Sequence, residues 1–285
     1  MAEAFGRPLG AFLQGGGSLG AWQAGALEVL DAAGLRFDAV MGYSIGVLNG
    51  TALAFGRLGE ALKRWRALDG GVLRLRPRLR PLSFFSPEPL FALFELARDE
   101  AAARAALRAE FTIVTACPAE GAPLNARFAP GGGGGWDGPL VTHAVASCAI
   151  PLVFPPVDLD YRGRRVRLVD GGVPMPRPID FSPLAACADV VVLEMVRPEE
   201  MTARARTPWG KLDLSGRRSG RWLVDEGVAG LLRRERPPRT YRLAPSRRLA
   251  PNMLDFRARG VRAMLDQGAE DARAFLADPE RSRVR

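Results

Sequence analysis

Gly42-Tyr43-Ser44-Ile45-Gly46 places a serine between two glycines, directly after the apolar run Ala39-Val40-Met41 and directly before a segment that can be helical. A chain that leaves a buried strand, turns sharply at a serine and enters a helix exposes that Oγ, with the first helical amides pointing back at it. Glycine suits positions 42 and 46, because the two ends of such a turn pass close together and a Cβ at either would collide. A serine nucleophile also needs a proton acceptor, and amide donors where the tetrahedral oxyanion forms. Gly15-Gly16-Gly17-Ser18-Leu19-Gly20 offers several backbone N–H groups at a helix amino terminus, and the Ile45 amide can join them. Two residues compete for the role of base. His143 is the one histidine, but it sits near the start of a helical segment, where a histidine more often caps or packs. Asp170 ends an apolar strand, precedes Gly171-Gly172, and can accept a serine proton directly if burial and geometry help. Asp-Gly-Gly is also an ordinary turn signal.

The glycine loop fits the dinucleotide fingerprint Gly15-x-Gly17-x-x-Gly20 as well. A dinucleotide fold wants an acidic residue at the end of the second strand, where this chain has Gly42-Tyr43-Ser44, and Asp38 stands at the wrong end of that strand. Gly20 is followed by Ala21-Trp22 and not by Lys and Ser or Thr, so a triphosphate loop is excluded too.

The elements that must hold these groups are legible in outline. Leu9 to Leu13 reads as a strand running into the glycine loop, and Ala21 to Ala33 as a helix stopped by Gly34. With the elbow this makes a βαβ unit whose two loops share one edge of a parallel sheet. Helices are expected over Val47 to Phe55, Gly59 to Leu68, Pro87 to Leu96, Glu100 to Arg108 and Pro139 to Ala149. Strands are expected over Phe111 to Thr115, Arg165 to Val169 and Val190 to Val196. Leu73 to Leu82 alternates leucine and arginine with two prolines inserted, which confines it to an edge or loop. The five glycines 131–135 have nothing in sequence to offset the entropy of fixing them. Trp209 to Arg236 and Leu254 to Leu276 read as late helices, with an edge strand at Thr240 to Leu243.

Composition narrows the class. With 285 residues, 47% apolar and 25% charged, the chain is globular and can bury a sizeable core. Cys117, Cys148 and Cys187 are odd in number and widely spaced, which argues against a zinc site or disulfide framework and for a reducing compartment. The start MAEAFGRPLGAFLQGGG lacks the basic and apolar regions of a signal peptide, and no apolar stretch approaches membrane-spanning length. The expectation is a cytoplasmic protein able to touch a membrane peripherally. The net charge of +9 permits anionic partners. Leu73 to Phe85, with arginines among apolar residues, suits transient contact with an anionic lipid surface, or is a solubilised edge segment. No reader fold or basic-aromatic platform accompanies the charge, so nucleic acid is not an expected partner.

Four pieces in order, namely Gly15-Gly16-Gly17-Ser18-Leu19-Gly20, the Ser44 elbow, the run Ala146-Ser147-Cys148-Ala149-Ile150-Pro151-Leu152-Val153-Phe154-Pro155-Pro156, and Asp170-Gly171-Gly172, resemble the patatin-like phospholipase family over Leu9 to Asp180. The resemblance implies a three-layer α/β/α fold with a mostly parallel central sheet, and acyl-ester hydrolysis, commonly of phospholipids or neutral lipids, with no cofactor. It also implies a Ser-Asp dyad of Ser44 and Asp170, with oxyanion donors around Gly16, Gly17 and Ser18. One hydrolase domain over 1–285 is then expected, its motif-bearing core at 9–180 and a completing carboxy-terminal region at 181–285. Leu19 departs from the plant-type pattern, which has Arg or Lys there; bacterial relatives often carry an apolar residue, so phospholipid specificity is weakened more than hydrolysis. Cys148 stands where glycine is frequent, and sequence assigns it no role. Leu212 to Gly227 resembles a bacterial subgroup, some of it linked to polyhydroxybutyrate metabolism, which points to hydroxybutyrate polyester as an alternative substrate. A non-catalytic lipid- or acyl-binding module is the alternative of another class, against which intact Ser44 and Asp170 weigh. Oligomeric state stays open.

Overall fold

Side-chain alternation along the buried strands gives the sheet two apolar faces, and each face needs its own layer of helices. The computed structural model describes residues 4–68, 75–86, 88–89, 94, 97–131, 134–249 and 252–284. Its strands are β1 (Leu9–Leu13), β2 (Ala39–Gly42), β3 (Leu75–Leu79), β4 (Leu82–Phe85), β5 (Glu110–Cys117), β6 (Ala122–Phe128), β7 (Val157–Tyr161), β8 (Arg164–Asp170), β9 (Asp189–Leu193) and β10 (Arg239–Leu243). The longer helices are α1 (Gly20–Ala32), α2 (Ile45–Ala54), α3 (Leu58–Ala67), α4 (Glu100–Ala106), α5 (Leu140–Ser147), α6 (Pro208–Leu232) and α7 (Ala258–Ala277).

The main sheet runs β10-β9-β1-β2-β5-β8-β7, and β6 also pairs with β5. The first five strands of that order are parallel to their neighbours, while β6 and β8 run antiparallel to β5, and β7 antiparallel to β8. Leu13, Val40, Val191 and Leu193 face one core, shared with Trp22, Leu27, Val47, Leu62 and Val261 of α1, α2, α3 and α7. Phe12, Met41, Val190 and Val192 face the other, covered by Leu223, Val224 and Val228 of α6. This is the three-layer α/β/α arrangement that the motifs implied.

α1 and α7 cross almost backbone to backbone. A Cβ on Gly268 would fall on the Trp22 carbonyl, and one on Gly25 would fall on that of Leu265. Trp22 Nε1 donates to Asp271 Oδ2 at 2.7 Å across the same crossing.

Several expected elements differ in detail. Of the Leu/Arg segment, residues 73–74 lie outside the described residues; the rest is a sheet edge, though not of the main sheet: β3 and β4 form a separate antiparallel hairpin with a register shift between Leu75 and Arg78, and Ser83 of β4 bridges Leu152. Pro77 lies in that shift, where a missing N–H costs no ladder bond. β6 and β7 were not expected. Pro123, Asn125 and Arg127 dilute the strand signal of β6, and β7 begins right after the Pro155-Pro156 pair. Within the glycine run, Gly132 and Gly133 lie outside the described residues, and the rest is not bare: Arg104 Nε donates to the Gly131 carbonyl at 3.1 Å and Nη2 to that of Gly134 at 2.7 Å. Most of the helix expected over 87–96 also lies outside the described residues.

Gly268→Ala (G268A) tests the crossing. It should lower stability by about 2 kcal/mol, the usual cost of forcing atoms into a packed contact, read from urea unfolding; an unchanged midpoint would contradict this packing.

Candidate active site

Ser44 sits where β2 ends and α2 begins, with φ 55° and ψ −131°. That backbone is costly for a residue with a Cβ, on the order of 1–3 kcal/mol, and persists only where its surroundings hold it. Its amide donates to Ser147 Oγ at 3.0 Å, and that hydroxyl donates to the Val114 carbonyl of β5 at 2.5 Å. The Cys148 thiol lies 3.4 Å from the Ser44 carbonyl and donates to it. Both polar ends of the Ser44 backbone unit are thus tied to the end of α5. A Cβ on Gly46 would strike the Leu13 carbonyl, so glycine is what lets α2 start against β1.

The glycine loop leaves β1 and lies against the elbow, where a Cβ on Gly15 would come within 2.7 Å of the Ser44 Cβ. Among the described residues, the amides of Gly16, Gly17 and Ile45 have no acceptor. The Ser18 amide is different: it donates to the Met253 carbonyl at 2.7 Å, so this donor is already engaged. Met253 is itself fixed, its amide donating to Asp213 Oδ1 at 2.6 Å. Asp213 and Glu200 are ion-paired to the fully buried Arg217 at 2.8 and 2.7 Å. A strap near residue 253 therefore leans on the loop from 235 residues away in sequence, with no local signal to reveal it.

Asp170 arrives on β8. Its neighbour across β5 is Thr115, two residues beyond Ile113, where β2 stops pairing at Gly42. β6 holds the other edge of β5 throughout, so β8 and β2 share one edge, and Asp170 follows directly where the elbow departs. The Asp170 amide donates to the Ala149 carbonyl at 3.0 Å, and Oδ1 accepts the Gly172 amide at 2.7 Å. Ser219 of α6 steadies that turn by donating to the Gly172 carbonyl at 2.7 Å. Oδ2 is buried with no hydrogen-bond partner among the described residues. Burial pushes this carboxyl up to about 7, against the opposing pull of the nearby Ser44 hydroxyl and the Gly172 amide. Burial, and secondarily the Asp170 charge, also hold the Tyr43 hydroxyl and the Cys148 thiol in their neutral forms by raising their pKa values.

His143 is elsewhere. It is fully buried, its ring lies edge-on to Phe128 and Tyr161, and neither nitrogen has a partner among the described residues. Burial lowers its pKa to about 4, with Asp137 opposing, so it is a neutral packing residue at pH 7. Of the predicted site residues, the fold brings Asp170 to Ser44 and its neighbour Ile45, lays the loop that carries Gly16 and Gly17 against them through Gly15 and Gly20, and directs the Ser18 amide to Met253. Ser147 and Cys148 were within a quoted motif but without a role; only the tertiary contact gives them one. All three cysteines are free, and no cluster of metal-ligating side chains occurs among the described residues.

The profile of the family described as patatin-like phospholipase matches residues 12–181, from β1 to just beyond β8. A search of curated proteins finds no match. Among solved structures, the chain is similar to VipD from Legionella pneumophila, with 14% identity and a TM-score of 0.44 over 93% of this chain and 66% of that one. It is similar also to the type III effector protein ExoU, with 15% identity and a TM-score of 0.44 over 98% of this chain and 55% of that one. The chain thus spans less than two thirds of either protein's length.

Two stability measurements probe the site. A buried carboxyl whose folded pKa lies above its unfolded value favours folding below about pH 4 and loses that contribution as pH rises through 7. Asp170→Asn (D170N) should therefore be more stable than wild type at pH 8, by about 1–4 kcal/mol, with the gap closing toward pH 4. A less stable variant at pH 8 would contradict the buried, poorly solvated carboxylate. His143 has the reverse sign: its depressed pKa makes stability fall as pH drops from 6.5 through 4, and His143→Phe should flatten that acid limb. An unchanged acid limb would mean that the imidazole is solvated.

Proposed function

The chain belongs to the patatin-like phospholipase family, and from that premise we propose that it is a serine acyl hydrolase cleaving carboxylic esters of lipids, with Ser44 as nucleophile and Asp170 as base. The observation that carries this reading is the pairing of a strained, anchored Ser44 with a buried carboxyl whose Oδ2 is unpartnered and whose pKa is raised to about 7. A base is most useful when its pKa lies near the working pH, and an unpartnered oxygen is free to receive a proton.

The reaction has two halves. Ser44 Oγ attacks the ester carbonyl as its proton passes to Asp170, and the tetrahedral oxyanion is held by the Ile45 amide and the free amides of Gly16 and Gly17. The C–O bond to the alcohol breaks, Asp170 returns the proton to the leaving oxygen, and an acyl-Ser44 ester remains. Water, giving its proton to Asp170, then attacks that ester; the acyl–Oγ bond breaks, Asp170 passes the proton to Ser44 Oγ, and the acid leaves. His143 takes no part. Ser147 and Cys148 keep the elbow in place, and Ser219 keeps the Asp170 turn in place. In this reading residues 1–285 form one hydrolase domain, to which the region after 181 adds the α6 layer and the Met253 strap.

Ser44→Ala (S44A) and D170N should each lower hydrolysis of a p-nitrophenyl ester a hundredfold or more with little change in fold, while His143→Gln retains activity. In wild type, kcat/KM should rise with pH and level off above an apparent pKa near 7. Wild-type activity in D170N, or a flat profile from pH 5 to 8, would overturn the dyad. Ser147→Ala should lower kcat with KM nearly unchanged, since it loosens the elbow without touching substrate; an equal change in KM alone would remove its positioning role.

A further inference from the structure

Among the described residues, seven large apolar side chains are exposed, and five of them, Leu75, Leu79, Leu82, Phe84 and Leu152, belong to one neighbourhood. Leu79 and Leu82 face each other across the hairpin at its turn, and Leu79 is 88% exposed. Phe84 shares the face of Leu82, two residues on, whereas Ser83 between them is buried. Leu152 lies beside β4: the Phe84 amide donates to its carbonyl at 3.0 Å and the Phe85 amide to that of Val153 at 2.9 Å. The backbone of Leu152 is left-handed, with φ 69°, while its side chain is half exposed.

The charge on this hairpin is all of one sign. Arg76 pairs with Glu88 at 2.6 Å, but Arg78 and Arg80 have no acidic partner among the described residues. Large exposed apolar groups with Arg80 at the turn beside them and Arg78, partly exposed, on the Ser83 side of the hairpin match an interface that is apolar inside and anionic at its surface. A second copy of the chain fits less well. It would set unpaired arginines against each other across a symmetric contact, and Pro77 and Pro81 remove edge N–H groups that strand pairing would use.

The patch is also tied to the site. Ser147 and Cys148 hold the two ends of the Ser44 backbone unit, Ala149 accepts the Asp170 amide, and Leu152 and Val153 accept from the hairpin. Four residues of chain reach at most about 14 Å, so Leu152 lies within that distance of Cys148, which touches the Ser44 carbonyl. We propose that the β3–β4 hairpin and Leu152 form a docking surface for anionic lipid, seating Leu79, Leu82, Phe84 and Leu152 among the acyl chains and Arg78 and Arg80 at the headgroups. The purpose of such docking, delivery of a lipid ester to Ser44, rests on the hydrolase reading above; the docking itself does not.

The test is co-sedimentation with phosphatidylcholine vesicles, with and without phosphatidylglycerol, for wild type, Leu79→Ser/Leu82→Ser and Arg78→Gln/Arg80→Gln. Wild type should bind the anionic vesicles at least tenfold better than the neutral ones. The arginine pair should lose about thirtyfold in affinity for anionic vesicles, and the leucine pair tenfold or more. Both variants should keep the wild-type melting temperature and the wild-type rate on a water-soluble ester. Vesicle binding without charge dependence, equal binding by all three proteins, or concentration-dependent self-association that the leucine pair abolishes with no vesicle binding would each overturn the docking surface. Turnover of the soluble ester without vesicle binding would remove docking and leave the hydrolase standing. The expected binding pattern with no ester turnover by any of the three would do the reverse.

Discussion

β2 stops at Gly42, opposite Ile113, and leaves the next stretch of that β5 edge unpaired; Thr115 and Ala116 are taken instead by Asp170 and Val169 of β8. Dividing one strand edge between two partners has a chemical result. The chain departing from β2 must turn at once, which creates the elbow at Ser44, and the strand completing the edge brings its terminal carboxylate to the same place. Neither residue needs a long flexible loop to reach the other, so their juxtaposition is set by backbone pairing, the most rigid constraint that a sheet offers.

That arrangement is expensive, and the neighbourhood reflects it. Ser44 is held in an unfavourable backbone conformation, Asp170 is buried with one oxygen unpartnered, and Gln14 Nε2 and Tyr43 Oη are also without partners among the described residues. The compensating bonds come from several elements: Ser147 and Cys148 on the amide and carbonyl of Ser44, Gly172 and Ser219 at the aspartate turn, and the strap of Met253 on the glycine loop. The strap in turn rests on the buried Arg217–Asp213–Glu200 cluster. Buried ion clusters add little net stability but cost several kcal/mol if one partner is lost, so here the cluster acts mainly to fix geometry. With the Ser18 amide bonded to Met253, the loop and elbow amides left without an acceptor among the described residues are those of Gly16, Gly17 and Ile45, the donors that the proposed reaction uses.

Much of this was legible in the sequence where local pattern and physics coincide. Leu9–Leu13 is a fully buried apolar run with a loop at its end, and its bounds are those expected. The elbow was readable because strand, glycine, serine and helix are contiguous, and Asp170 because it closes an apolar strand before two glycines. β6 and β7 were not readable, since Pro123, Asn125, Arg127, Asp158 and Asp160 carry the polar half of a period-two pattern beside proline. Sequence also had no means of assigning Cys148 or Met253, whose roles depend on partners 104 and 235 residues away. The Leu/Arg segment was readable as peripheral, but its pairing into a separate hairpin, and its bond to Leu152, belong to tertiary structure alone.

The proposed chemistry turns on Ser44 as the nucleophile of an acyl-transfer site. It is tested most directly by treating the folded protein with a fluorophosphonate and locating the adduct by peptide mass spectrometry. One phosphonyl group is expected on the peptide containing Ser44, absent from S44A, and formed faster as pH rises through about 7. An adduct on another serine, or equal labelling of S44A, would contradict it.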